Sequence, residues 1–147
     1  MHPYILAQLN IATLSFPLDS PELKDFVDNL DLVNSLAEKS EGFIWRLQTD
    51  EGNATAIDAF GPDTIINMST WRDVDTLKRF VYKTIHSQFI ARRREWFKEI
   101  DPHMVLWWIA AGTQPTIEEA VQKLSLLATQ GPCKMAFDLH HPYAAPS

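Results

Sequence analysis

Cysteine is almost absent from this 147-residue chain: Cys133 stands alone, so no internal disulfide can form. That fits a reducing compartment, and a cytoplasmic location is the expectation. Long apolar runs are missing too, and none approaches the roughly 18 residues that a membrane span needs. The opening Met1-His2-Pro3-Tyr4 lacks the basic stretch and apolar run of a secretory signal, so no membrane partner is expected. There is no glycine-rich phosphate loop, no cluster with metal-ligand spacing and no serine in a nucleophile-elbow context, so no metal site is expected. His140 and His141 form a lone pair on the tail, which suits solvated side chains better than a ligand set. Positive charge is also scarce, with 13 Lys and Arg against 19 Asp and Glu and a net charge of −6. A chain of that sign repels polyanions, so nucleic acid would have to meet a local basic patch. The triplet Arg92-Arg93-Arg94 could start one, but Glu95 and Glu99 follow at once, and no nucleic-acid partner is expected.

What remains is globular composition, 46% hydrophobic and 22% charged, in a length that suits one domain. Strand-like and helix-like stretches alternate. "YILAQLNIAT", Tyr4 to Thr13, reads as a strand with Ile5, Ala7, Leu9 and Ile11 on one face and Leu6, Gln8 and Asn10 on the other. "SPELKDFVDNLDLVNSLAEKS" reads as a helix, with Ser20 as its cap and Pro21 in its first position. "FIWRLQT", "ATAIDAF" and "TIINMSTW" read as strands, the middle one short. "DVDTLKRFVYK" begins a helix that Asp73 can cap. "MVLWWIAA" is the last clear strand, and "TIEEAVQKLSLLATQ" is an amphipathic helix with capping-box spacing from Thr116 to Glu119 and a stop at Gly131. The order β-α-β-β-β-α-β-α predicts an α+β fold, an antiparallel sheet with helices on one face. Residues 1–131 would form the domain, and residues 132–147, which hold three prolines, a strap or tail. An open sheet face carrying Gln8, Asn10 and tryptophans is too apolar for water, and face-to-face homodimerisation would cover it.

Candidate site residues follow from the same pattern. At about 100° per residue, His86 shares an apolar helix face with Ile90, Arg93 and Phe97. A histidine there is either a packed side chain or a general base, since it titrates near neutral pH. Arg93, on an apolar stripe, needs an anionic partner, either a carboxylate of the chain or a ligand group. Gln8, Asn10, Arg46, Gln48, Asn67 and Ser69 interrupt apolar strands, as the fixed polar groups of an apolar pocket would. Trp45, Trp71, Trp107 and Trp108 could supply flat walls. Strand parity forbids Trp45 and Arg46 from facing the same way, and likewise Trp107 and Trp108, unless a bulge intervenes. Tyr82 could orient a ligand beside His86 or close the core.

These residues carry a resemblance. "WRDVDTLKRF" after the fourth strand, with His86 six residues past Phe80, resembles the dimeric α+β barrel superfamily, whose members include antibiotic-biosynthesis monooxygenases, haem-degrading monooxygenases, stress-responsive barrels and polyketide cyclases. "LAQLNIA", "FVDNLDLVNSLAEKSEGFIWRLQ", "GNAT" and "HSQFIARRREWF" resemble more closely an uncharacterised bacterial family of that superfamily, a domain of unknown function, over about residues 5 to 140. The resemblance implies a ferredoxin-like dimeric barrel. In a plant cyclase of the superfamily a histidine matching His86 is the base, with a tyrosine where this chain has Phe80. In haem-degrading members an asparagine on the first strand, which Asn10 resembles, flanks the haem. The expectation is therefore a homodimeric small enzyme without a tightly bound cofactor, acting on an apolar aromatic or polyketide-type molecule. His86 would be the base, with Gln8, Asn10, Trp45, Arg46, Asn67, Trp71, Tyr82, Arg93 and Trp108 around the substrate. Haem binding or breakdown, and a non-catalytic ligand-binding or stress-response module, are the alternatives.

Overall fold

A computed structural model of the chain describes residues 3–16, 20–25, 28, 35–47, 64–85, 97–98 and 104–146. At its centre is β1 (Tyr4–Leu14), whose period-2 pattern is apolar on both faces. β3 (Thr64–Trp71) pairs antiparallel with one edge of it, Leu6 opposite Trp71 and Gln8 opposite Ser69. The other edge takes β5 (Met104–Ala110), with Leu6 opposite Trp108 and Gln8 opposite Leu106. Further along that edge the short β4 (Phe97–Lys98) lies beside Thr13 and Leu14. β2 (Phe43–Arg46) pairs antiparallel with the outer edge of β3. Helical residues 24–25, 28 and 35–38 connect β1 to β2, α1 (Val74–Ile85) follows β3, and α2 (Ile117–Gln130) follows β5. The strand order β2-β3-β1-β5, all antiparallel, is that of the ferredoxin-like β-α-β-β-α-β unit, as the resemblance implies. The expected strand "ATAIDAF" lies outside the described residues. No described helix is long and apolar enough to cross a membrane.

Two cores flank the sheet. Ala7, Leu9 and Ile11 of β1 join Ile66, Met68, Val105 and Trp107 beneath Ala120, Leu124 and Leu127, which lie four and three residues apart on one face of α2. Leu6, Trp71 and Leu106 face the other way, where Leu77, Phe80 and Val81 of α1 cover them. Helices therefore stand on both faces, a correction to the expected one-sided layering. The physical reason lies in β1, since each of its faces is apolar enough to require a cover and the stripe on α2 supplies the second.

The strap also differs from a loose tail. Phe137 and Leu106 exchange backbone hydrogen bonds of 2.7 and 2.9 Å, so Ala136 and Phe137, adjacent on an extended segment, enter opposite cores. Farther on, the Tyr143 ring packs 5.6 Å from that of Phe137, and the Tyr143 hydroxyl donates to the Pro132 carbonyl.

Capping follows the sequence at two of the three helix starts. Thr116 Oγ1 accepts from the Glu119 N–H at 3.1 Å, and Gly131, at φ 74°, closes α2. The Glu119 carboxylate does not reach back to complete the box; it accepts the indole N–H of Trp107, a ring only 1% exposed. Asp73 Oδ1 accepts from the Thr76 N–H at 2.9 Å, and the Thr76 hydroxyl donates to the Asp73 carbonyl at 3.1 Å. At Ser20 the backbone carbonyl, rather than the side chain, accepts from the Leu23 N–H at the start of a 3-10 turn.

Gly42 fixes how α1 meets the sheet. Its φ is +86°, its carbonyl accepts the Arg72 N–H at 2.7 Å, and a Cβ on it would lie 2.4–2.5 Å from the Thr76 side chain. Gly42→Ala is expected to cost about 2–3 kcal/mol, from backbone strain plus overpacking, read as a lower urea midpoint at unchanged m-value. Asp73 generates a second prediction. Burial raises its pKa, but the Thr76 N–H and hydroxyl and the Arg72 guanidinium outweigh that and hold it below the ordinary value. A depressed carboxyl stabilises the fold above its unfolded pKa, and that contribution is lost as pH falls through the folded one. Asp73→Asn keeps a capping oxygen and removes the titration, so its Tm should fall less steeply than wild type below about pH 4.

Candidate functional site

The polar residues of the strands converge because cross-strand partners point to the same side. Gln8 lies opposite Ser69, Asn10 opposite Asn67, and Arg46 also opposite Ser69, so all five occupy the face that α1 covers. Trp71 and Trp108 flank Leu6 on that face. The register shift between Phe43 and Trp45 makes this possible on β2: Phe43 and Arg46 face Trp71 and Ser69, while Ile44 is extruded to solvent. Trp45 thereby lands opposite Thr70 and packs into the other core, with Trp107. This removes Trp45 from the expected set. Tyr82 belongs to α1, with its side chain outside the described residues, and His86 and Arg93 also lie outside them.

A hydrogen-bonded chain runs across this floor. Trp71 Nε1 donates to Ser69 Oγ at 2.8 Å. Gln8 Nε2 donates to the same oxygen at 2.8 Å and to Asn67 Oδ1 at 2.7 Å. Gln8 is 3% exposed and Ser69 is buried; Asn10 is half-buried and Asn67 exposed, so the floor runs from a buried end to an open one. Aromatic rings bound the buried end. Trp71 stacks on Phe80 at 5.2 Å and 26°, and Phe43 meets Trp71 edge-on at 5.5 Å. Trp108 Nε1 donates to the Tyr143 carbonyl at 2.9 Å, which ties the strap to the same wall. Among the described residues, Arg46 brings a cation to this face; its Nε donates to Glu38 at 2.7 Å, with its side chain 12% exposed. Such a floor offers neutral hydrogen-bonding groups among flat rings, with its positive charge paired to a carboxylate. Among the described residues no group of three or more His, Cys, Asp or Glu could hold a metal ion.

The family model described as "Domain of unknown function (DUF3291)" matches residues 5–147. The chain belongs to that family. No curated protein matches it. Among solved structures, the DUF3291 domain is similar to the NE2512 protein of unknown function from Nitrosomonas europaea. Identity is 14% and the TM-score 0.49, over 79% of this chain and 97% of that one. It is also similar to a candidate antibiotic biosynthesis monooxygenase from Chloroflexus aurantiacus J-10-fl. Here identity is 15% and the TM-score 0.44, over 77% of this chain and 98% of that one. At these levels neither overlap bears on activity.

In the sequence Ser69 reads only as a polar interruption of a strand; in the structure it is the acceptor shared by Gln8 and Trp71. The available signal was its position two residues before Trp71, on the same strand face and opposite Gln8. Ser69→Ala would strand two buried donors, and a loss of about 1–3 kcal/mol is expected in urea unfolding. Asn67→Ala, at the open end where water can replace the lost acceptor, should cost less, about 0.5–1.5 kcal/mol.

Proposed function

We propose that this DUF3291 domain is a small enzyme acting on an apolar, aromatic or polyketide-like molecule without a tightly bound cofactor, with His86 as general base. The supporting observation is the buried Gln8 amide, tied to Ser69 and Asn67 on an otherwise aromatic and aliphatic face. Small-molecule sites have this character: mostly apolar lining and a few fixed polar groups. His86 follows directly on Ile85, the last residue of α1, and α1 packs on this face through Leu77, Phe80 and Val81.

In this reading His86 removes a proton from a ring carbon made acidic by a neighbouring carbonyl. The resulting enolate is held by amide N–H groups of Asn67 and Asn10 and by Arg46, which stabilise charge as it develops. An electron-rich enolate can reduce dioxygen itself: a CH₂ group and O₂ give C=O and H₂O. Cyclisation or isomerisation would begin with the same proton transfer. Homodimerisation belongs to the proposal, and sedimentation at micromolar concentration tests it, since a lone 16.8 kDa species would contradict it.

Anthrone is a suitable probe because its CH₂ group is flanked by aryl rings and lies opposite a carbonyl. Oxygen uptake with anthrone is expected for the wild-type chain, and His86→Ala should lower kcat by about 10²–10⁴-fold. Equal rates in both proteins would remove His86 from the chemistry. Haem seated against Asn10 is the competing proposal; a shifted Soret band on adding haem, without anthrone oxidation, would replace the enzyme reading with it.

A further inference from the structure

An amide side chain has two ends, and only one end of Gln8 is engaged. Both N–H bonds of Nε2 go to β3, on Asn67 Oδ1 at 2.7 Å and Ser69 Oγ at 2.8 Å. Because the amide is planar, its carbonyl oxygen is turned away from β3. Across β1 on that other side stand Leu106, directly opposite Gln8, and its neighbours on the same face, Met104 and Trp108. Leu106 and Met104 carry no donor, and the Trp108 indole N–H is taken by the Tyr143 carbonyl. Gln8 Oε1 thus has no partner among the described residues, in a side chain only 3% exposed. It is not sealed in, however. Thr70 Oγ1 is the one side-chain polar atom of the described residues that is fully enclosed without a partner, and it points into the opposite core. A buried but reachable acceptor with no donor is a place where a ligand's donor is strongly favoured.

We propose that Gln8 Oε1 is the specificity-determining contact of this site and accepts a hydrogen bond from the phenolic or enolic hydroxyl of a neutral aromatic ligand. This rests on reading the face as a ligand site. Ser69 is the positioning residue. The Trp71 indole N–H can only donate and occupies one lone pair of Ser69 Oγ, and the second lone pair accepts the Gln8 N–H on the β3 side. That sets the amide with its oxygen outward. A carboxylate or phosphate has no proton to offer and meets the negative end of the amide dipole, so anionic ligands are disfavoured. The half-buried Trp108, beside Leu106 on the side to which Oε1 turns, favours a flat ring over an aliphatic alcohol.

Calorimetric titration of the full chain with 1-naphthol, 1-methoxynaphthalene and 1-naphthoate tests this. The first can donate, the second only accept, and the third is an anion. Wild type should bind 1-naphthol about five- to tenfold more tightly than 1-methoxynaphthalene, the range one net hydrogen bond confers, and 1-naphthoate least. Gln8→Leu should bring the naphthol-to-methoxynaphthalene ratio to about one while keeping the affinity for 1-methoxynaphthalene; Gln8→Met serves if the leucine variant does not fold. Ser69→Ala should lower the ratio, and Ser69→Thr, which keeps the hydroxyl, should restore it. The proposal is overturned if wild type shows no preference, if the preference survives loss of the Gln8 amide, or if none of the three binds. Failure of the two readings can be told apart. A preference for naphthol without anthrone oxidation leaves this inference standing and removes the activity, and oxidation without the preference does the reverse.

Discussion

Nearly every other feature of the fold is referred to the position of β1. The strand is hydrogen-bonded along both edges and covered on both faces, so its period-2 alternation builds two cores at once. A slip of one residue would exchange Ala7 and Leu9 for Leu6 and Gln8 beneath α2 and place an amide in the drier core. Register is therefore strongly specified, and with it the meeting of Gln8, Ser69 and Asn67 from strands far apart in the chain.

Tryptophans repeat one device at three places. Each sets a large ring in a core and gives its indole N–H an acceptor, for Trp71 on its own strand and for Trp107 and Trp108 on another element. Trp71 lies against Phe80 and donates to Ser69; Trp107 donates to Glu119 on α2; Trp108 donates to the Tyr143 carbonyl in the strap. A buried indole N–H without an acceptor is costly, so the bonds of Trp107 and Trp108 each favour one placement of the element that supplies the acceptor. The adjacent pair Trp107–Trp108 does this on opposite faces of the sheet, which pins α2 to one side and the strap to the other.

Much of the architecture was legible in the amino-acid order because it rests on local signals. Alternation marked β1, a continuous apolar run marked β5, and Asp73, Thr116 and Gly131 marked helix ends within a residue or so. Side-chain partners were less legible. Glu119 has the spacing of a capping box, yet its carboxylate goes to Trp107, because a tertiary donor outcompetes an exposed backbone N–H. Strand parity sets Trp45 and Arg46 on opposite faces unless a bulge intervenes. Which one joined Gln8 depended on a bulge at Ile44, and no local propensity announces a bulge of that kind.

The sequence by itself determined the class of fold and the strand faces, since these follow from side-chain type and period. Only the tertiary structure decided that both sheet faces are covered, that Trp45 packs into the core opposite the Gln8 face, and that Ser69 Oγ accepts from both Trp71 and Gln8. Those outcomes depend on pairing between segments separated by some sixty residues, as between Gln8 and Ser69, where register and competition for hydrogen-bond partners act together. Neither quantity is written in any single stretch of the chain.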